Sequence, residues 1–175
     1  MQPTLETERL ILRPYKMTDA KQVKMLAGDK LIAEMTANIP HPYLDGMAEQ
    51  WIGRHATWYI KREAAAWAIT LRTSGKLVGT VSITQILQNK GNLGYWIGVP
   101  YWGNGYCTEA VKEIINFAFA SDYLDQIYAR HLPENNTSGK VIQKSGFCYI
   151  RDVAVGDREL LHYELNKSEW KNANR

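Results

Sequence analysis

Two glycines one residue apart, Gly103 and Gly105, separate an apolar run ending at Val99-Pro100 from an amphipathic segment that opens at Tyr106. Glycine admits backbone angles closed to other residues and lets the main chain approach a ligand closely. If a helix starts here, the N–H groups of its first turn lack intrahelical partners, and the helix dipole favours negative charge in front of them. Such a turn either cradles a phosphate or is simply tight, and two glycines alone leave both readings open. A nucleoside-triphosphate loop, G-x-x-x-x-G-K-[ST], has its spacing at Gly98 to Gly103, but Asn104 stands in place of the lysine and no serine or threonine follows. A dinucleotide fingerprint, G-x-G-x-x-G, fails at its third glycine, which is Thr108. Both nucleotide readings therefore fail on particular residues.

The elements that must position this turn follow from periodicity. Leu10-Ile11-Leu12-Arg13 predicts a short strand closed by Pro14, and Thr18-Asp19-Ala20 offers caps for a helix carrying Val23, Leu26 and Ala27. Pro40-His41-Pro42 is a loop. A second helix opens at Asp45 or Gly46 and places Met47, Trp51, Ile52, His55 and Tyr59 on one face. Trp67–Leu71, Leu77–Ile83 and Leu93–Val99 predict three adjacent antiparallel strands, joined by turns at Thr73–Lys76 and Asn89–Asn92. After the glycine turn comes a helix with Ala110, Val111, Ile114, Ile115 and Ala118 on its buried stripe. A strand at Ile127–Arg130 follows, then a helix from Asn135 to Lys144 ended by Gly146, then two strands around Gly156-Asp157. The expected fold class is α/β (α+β): a mixed central sheet, antiparallel in its N-terminal half, with a β–α–β crossover in its second.

Length and composition bound the rest. A chain of 175 residues without repeats or a linker predicts one domain over residues 1–175. Hydrophobic residues at 45% and charged residues at 22% exclude a disordered chain. Lys plus Arg number 21 and Asp plus Glu 18, and the resulting +3 is too small to argue for nucleic acid, though it suits a modestly anionic ligand. Cys107 and Cys148 cannot make a disulfide framework, and no metal site is expected near them. No apolar run approaches a membrane span, and Met1–Glu6 lacks the regions of a signal peptide, so the expected setting is cytoplasmic.

Four segments in register resemble one family. Trp102-Gly103-Asn104-Gly105-Tyr106-Cys107-Thr108-Glu109-Ala110 resembles the coenzyme A pyrophosphate motif of the GNAT superfamily of N-acetyltransferases. More narrowly, it resembles the branch of ribosomal-protein N-terminal acetyltransferases, whose usual form is W-G-x-G-Y-A-T-E-A. Cys107 replaces the alanine, small for small. Thr7–Pro14 resembles the opening strand of that branch, Leu93-Gly94-Tyr95-Trp96-Ile97 its splayed central strand, and Asn135-x-x-Ser138 with Lys144-x-Gly146-Phe147 its last motif.

The resemblance implies a single GNAT-like domain that transfers acetyl from acetyl-CoA to a primary amine. It implies that backbone groups of Ile97 and Val99 bond the pantetheine arm. The N–H groups of Trp102, Gly103, Asn104, Gly105, Tyr106, Cys107 and Thr108 would hold the pyrophosphate. Asn135 would bond the arm, and Lys140 and Lys144 are either 3′-phosphate ligands or a solvated helix face. Asn135 and Ser138 also suit helix capping, which is compatible with cofactor contact. The leaving thiolate needs a proton or a hydrogen bond. Many members use a tyrosine seven residues after the asparagine, a position that is Ile142 here. The branch it resembles looks instead to the serine three residues after the asparagine, which implies that Ser138 hydrogen-bonds the sulfur or relays a proton, with Val99 N–H the candidate for the oxyanion contact.

A glutamate that serves as base in some relatives is replaced by Asn92, which leaves a water chain, Glu8, Glu34 or no dedicated base. Because α-amines titrate near ~7.7–8.0 and lysine near ~10.4, a site without a strong base is better matched to a protein or peptide N-terminus. The acceptor is expected near Met35, His41, Tyr43 and Tyr95, while Trp51 and Trp67 are assigned to core packing. A small-molecule amine acetyltransferase, or a coenzyme A-binding regulatory domain with little turnover, are the alternatives. Homodimers are common among relatives, and the sequence leaves an assembly open.

Overall fold

The computed structural model describes residues 1–173, and the last two of the expected single unit, Asn174 and Arg175, lie outside the described residues. Eight strands among them form one sheet in the order β1-β2-β3-β4-β5-β6-β8-β7. In chain order these are β1 (Leu5–Glu6), β2 (Leu10–Pro14), β3 (Ala65–Leu71), β4 (Leu77–Leu87), β5 (Lys90–Ile97), β6 (Gln126–His131), β7 (Cys148–Val155) and β8 (Arg158–Asn166). The helices are α1 (Ala20–Ala27), α2 (Lys30–Met35), α3 (Met47–Ile60), α4 (Tyr106–Ala120), α5 (Asn136–Lys144) and α6 (Lys167–Ala173). Every neighbouring pair is antiparallel except β5 and β6, which run parallel because α4 carries the chain across between them. The expected mixed sheet with one crossover is the observed one.

Alternation along the strands sends successive side chains to two opposed cores. On one face Leu10, Leu12, Trp67, Ile69, Val81 and Leu93 pack under the α4 stripe of Ala110, Val111, Ile114, Ile115 and Ala118. On the other, Ala68 and Leu77 meet Val23 and Leu26 of α1 and Ala48 and Ile52 of α3. β3 is buried from Ala65 to Thr70 because both its faces are covered, whereas β7, at the sheet edge, is exposed along almost its whole length.

Several boundaries differ from the sequence reading. The turn expected over Asn89–Asn92 is the two residues Gln88 and Asn89, both with positive φ (50° and 60°), so Leu87 faces Lys90 and β5 starts three residues early. Asp19 does not cap α1 with its side chain. Its carboxylate instead takes two hydrogen bonds from Arg13, both 2.8 Å, and one from Lys16 N–H at 2.8 Å. The short elements β1, α2 and α6 carry too little periodic signal to be read from sequence.

Candidate active site

β5 is paired on both sides only in its first half. Its ladder with β6 covers Lys90 to Leu93, opposite Gln126 to Ala129, while its ladder with β4 continues to Ile97, opposite Gly79. The β6-facing edge of Gly94 to Ile97 is therefore open, and an open strand edge can take an extended chain through main-chain hydrogen bonds. Pro100 stops the strand inside a short 3-10 turn, Val99–Tyr101. The Trp102 indole folds back and donates to Ile97 O at 2.6 Å, so that carbonyl already has one donor. The Val99 N–H has no acceptor among the described residues.

The turn that follows places Gly103 and Gly105 both at φ +77°. A Cβ at Gly103 would meet nothing within 4 Å, so glycine is needed there for the hand of the backbone and not for space. Gly105 caps α4, and the first bond back into the turn is Glu109 N–H to Gly105 O, 3.1 Å. The N–H groups of Tyr106, Cys107 and Thr108 are thus the free donors of the first helical turn, where the dipole adds positive character. Asn104, which stands where a triphosphate loop has lysine, braces the turn from inside by donating to Tyr101 O at 3.0 Å and Trp102 O at 3.1 Å.

A clamp from the far end of the chain holds this turn. The Glu109 carboxylate accepts from Thr7 Oγ1 (2.6 Å), Arg9 N–H (2.9 Å) and Arg9 Nε (2.7 Å), and Arg9 Nη1 donates to Asn104 O at 2.9 Å. The Arg9 guanidinium also lies over the Tyr106 ring, 4.9 Å from its centroid. Burial pushes the Glu109 pKa up, but the bonds from Thr7 and Arg9 outweigh it and hold the carboxyl below its ordinary value. In front of the turn opens a cleft of about 700 Å³ whose walls include Arg9, Thr108, Lys112 and Lys144. Lys112 was not singled out in the sequence, although it stands four residues after Thr108 on the same helix face. Lys140 is not among the residues lining this cleft.

On the other flank the structure strings together residues far apart in the chain. Asn135 caps α5, its side-chain oxygen accepting from Ser138 N–H at 3.1 Å, and its amide donates to Met35 O at the end of α2, also 3.1 Å. Ser138 Oγ lies 2.7 Å from the Tyr95 hydroxyl. Tyr95, expected beside the acceptor, belongs to the α4 face of the sheet, with its phenol bonded to α5. His41 and Tyr43 are not brought to this group: His41 Nδ1 bonds Gly28 O at 3.2 Å, and Tyr43 packs on the α1–α3 core. Trp67 is fully buried and Trp51 packs against the α1–α3 core.

The candidate bases separate in space. Glu8 lines the cleft in front of the glycine turn. Glu34 pairs with Lys30 at 3.4 Å and lines a cavity of about 380 Å³ with Leu132, Glu134 and Arg158, beyond Met35. Asn92 Oδ1 is buried without a donor among the described residues. Cys107, whose place at a helix N-terminus favours a lowered pKa, goes the other way: burial pushes its thiol up and disfavours the nucleophilic thiolate. No helix among the described residues is long and apolar enough to cross a membrane.

A row of free N–H groups at a helix start, an open strand edge and a hydroxyl beside them suit a diphosphate carrying an extended amide arm. Comparison with known proteins agrees. The acetyltransferase (GNAT) domain profile matches residues 9–148. N-acetyltransferase p20 of Bacillus licheniformis, itself uncharacterized, is 31% identical over 147 residues, 82% of either chain. The ribosomal-protein-S5-alanine acetyltransferase of Vibrio fischeri superposes with a TM-score of 0.84 at 20% identity, over 97% of this chain and 99% of that one. Mycobacterium smegmatis RimJ, solved with a coenzyme A disulfide, gives 0.79 at 20% identity over 95% and 90%. With the glycine turn, the strand and α5 all inside the matched span, the chain belongs to the GNAT family of acetyltransferases, which draw the acetyl group from acetyl-CoA.

Proposed function

We propose that this N-acetyltransferase acylates the α-amine of a protein or peptide N-terminus. The observation that carries the reading is position 92, where a carboxylate would serve as base and where an asparagine stands with its oxygen buried. An amide cannot take the proton of an ammonium group, which favours an acceptor that arrives largely neutral. At neutral pH an α-amine, with a pKa near ~7.7–8.0, is roughly a few hundred-fold more often neutral than a lysine near ~10.4. The similarity to a ribosomal-protein-alanine acetyltransferase supports the same acceptor class.

The chain's own groups divide the work as follows. The N–H groups of residues 103–108 take the pyrophosphate, the Trp102 N–H expected among them being spent on Val99 O at 3.2 Å, with Lys112 and Lys144 at the cleft walls for the remaining phosphate charge. The open edge of β5 receives the pantetheine arm. When bound, the cofactor supplies an activated thioester. Val99 N–H is the free donor for the carbonyl oxygen as negative charge grows on it. Ser138 Oγ hydrogen-bonds the departing sulfur. Met35, tied through Asn135 to the same helix, marks the side from which the amine enters.

An amine panel tests the acceptor. Thiol release from acetyl-CoA with N-terminal peptides, lysine peptides, polyamines and aminoglycosides is expected to favour N-terminal peptides, with Ser138→Ala lowering kcat about 100-fold. Faster turnover of a lysine peptide than of its matched N-terminal peptide would refute the acceptor class.

The clamp makes a separate prediction. Glu109→Ala removes three acceptor contacts behind the turn and leaves the Arg9 guanidinium without its carboxylate partner. KM for acetyl-CoA is expected to rise about tenfold, ~1.4 kcal/mol of cofactor binding, with kcat nearly unchanged. A fall in kcat at constant KM would place Glu109 in the chemistry instead.

A further inference from the structure

Ser138 is held at two points that come from different parts of the chain. Its backbone N–H is fixed by Asn135 at 3.1 Å, which sets where its Cα sits. Its side chain meets Tyr95, 43 residues earlier, whose hydroxyl lies 2.7 Å from Oγ and 3.1 Å from the Ser138 carbonyl. Without a partner a serine hydroxyl turns among its staggered rotamers, and its proton points wherever an acceptor offers. The Tyr95 phenol carries one proton, which can go to the Ser138 carbonyl or to Oγ, and at 2.7 Å either hydroxyl can donate to the other.

We propose that Tyr95 is the positioning residue for the leaving-group end of the site: its hydroxyl donates to Ser138 Oγ and so leaves the serine's own proton free for the coenzyme A sulfur. This rests on the reading above that Ser138 faces the thioester. As the amine nitrogen bonds the acetyl carbon, the C–S bond breaks and its electron pair passes to sulfur. The Ser138 O–H hydrogen-bonds that forming thiolate, and the amine's surplus proton leaves to water. Tyr95 gives up no proton. Burial, with the neighbouring Cys107 thiol adding to it against the Ser138 bond, pushes the phenol above its ordinary value. It therefore keeps its proton throughout the pH range of the reaction, and with that proton turned toward Oγ the serine's own proton is left for the sulfur. The arrangement restores by a tertiary contact what Ile142 denies α5, a tyrosine hydroxyl serving the sulfur, here through a serine.

The test is a double-mutant cycle of Tyr95→Phe and Ser138→Ala, read by kcat, by KM for acetyl-CoA and by thermal midpoint. Tyr95→Phe is expected to lower kcat about tenfold with KM within about twofold, and to change kcat less than about twofold once Ser138 is alanine. An equal loss in both backgrounds, or no loss in either, overturns the proposal. Wild-type kcat in Ser138→Ala would instead overturn the reading on which it rests. A second readout needs no turnover: calorimetric affinity for coenzyme A against desulfo-coenzyme A. Wild type is expected to prefer the thiol, and both single variants to lose that preference while binding the desulfo compound as before. A preference retained in Tyr95→Phe, or an equal weakening toward both compounds, rules the positioning role out.

Discussion

Gly105→Val is expected to weaken coenzyme A binding about 100-fold while leaving the protein folded, ~2.7 kcal/mol of affinity. The residue caps α4 at φ +77° and ψ 4°, a conformation that strains a β-branched side chain by roughly 1–3 kcal/mol. The valine Cβ would lie 3.5 Å from Arg9 Nη2, an ordinary contact, so the strain comes from the backbone and not from lack of space. The strain is relieved by letting residue 105 move toward negative φ, which turns the N–H groups of the first helical turn away from a common point. The surrounding chain is exposed from Trp102 to Gly105, so this relaxation costs little core packing. Gly75→Val is the control: it has the same hand, φ +69°, in the turn between β3 and β4. It is expected to lose similar stability with no change in affinity. Isothermal titration of both variants decides the matter, and wild-type affinity in Gly105→Val would show that the turn is merely tight.

The parts of this site that lie close together in sequence were legible there. The glycine turn, the apolar run before it and the amphipathic helix after it fall within Leu93 to Ala120, and each has a local pattern. Asn135 and Ser138 sit three residues apart, so their capping geometry follows from spacing alone. What escaped is tertiary. Arg9 and Glu109 are 100 residues apart, Asn135 and Met35 likewise, and no periodicity links them. Tyr95 carried a residue-type signal, but which of two neighbouring groups it served depended on which face of β5 it occupied. That face is set by register, and the reading of β5 was displaced because Asn89-Lys90-Gly91-Asn92 has the composition of a turn. The real turn uses Gln88 and Asn89 in the left-handed region, where glycine would be the expected signal and is absent.

From pH 6.5 down to about 4 the protein is expected to lose about 3 kcal/mol of stability through His55 alone. The sequence places this histidine on the apolar face of α3, and there the structure buries it to 7% exposure between Tyr15, Trp51 and Trp58. Neither ring nitrogen has a hydrogen-bond partner among the described residues. The nearby Tyr15 hydroxyl is committed to Thr80 and Gly79 O. Burial thus penalises the cation and pushes the ring down to about 4, against 6.5 in the unfolded chain. Between those values the unfolded chain binds the proton and the folded one does not, so stability rises with pH. It is complete above 6.5 and lost as pH falls. Asp19 titrates lower: burial raises it, but Arg13 and Lys16 hold its carboxyl below the ordinary value, so its contribution begins to fade only as pH approaches the unfolded carboxylate range. Urea midpoints at pH 7, 6 and 5 therefore report the histidine. In His55→Leu the fall across that interval is expected to flatten, whatever the substitution does to stability at pH 7. Parallel wild-type and variant curves would mean that the aromatic cage opens to water when the ring takes its proton.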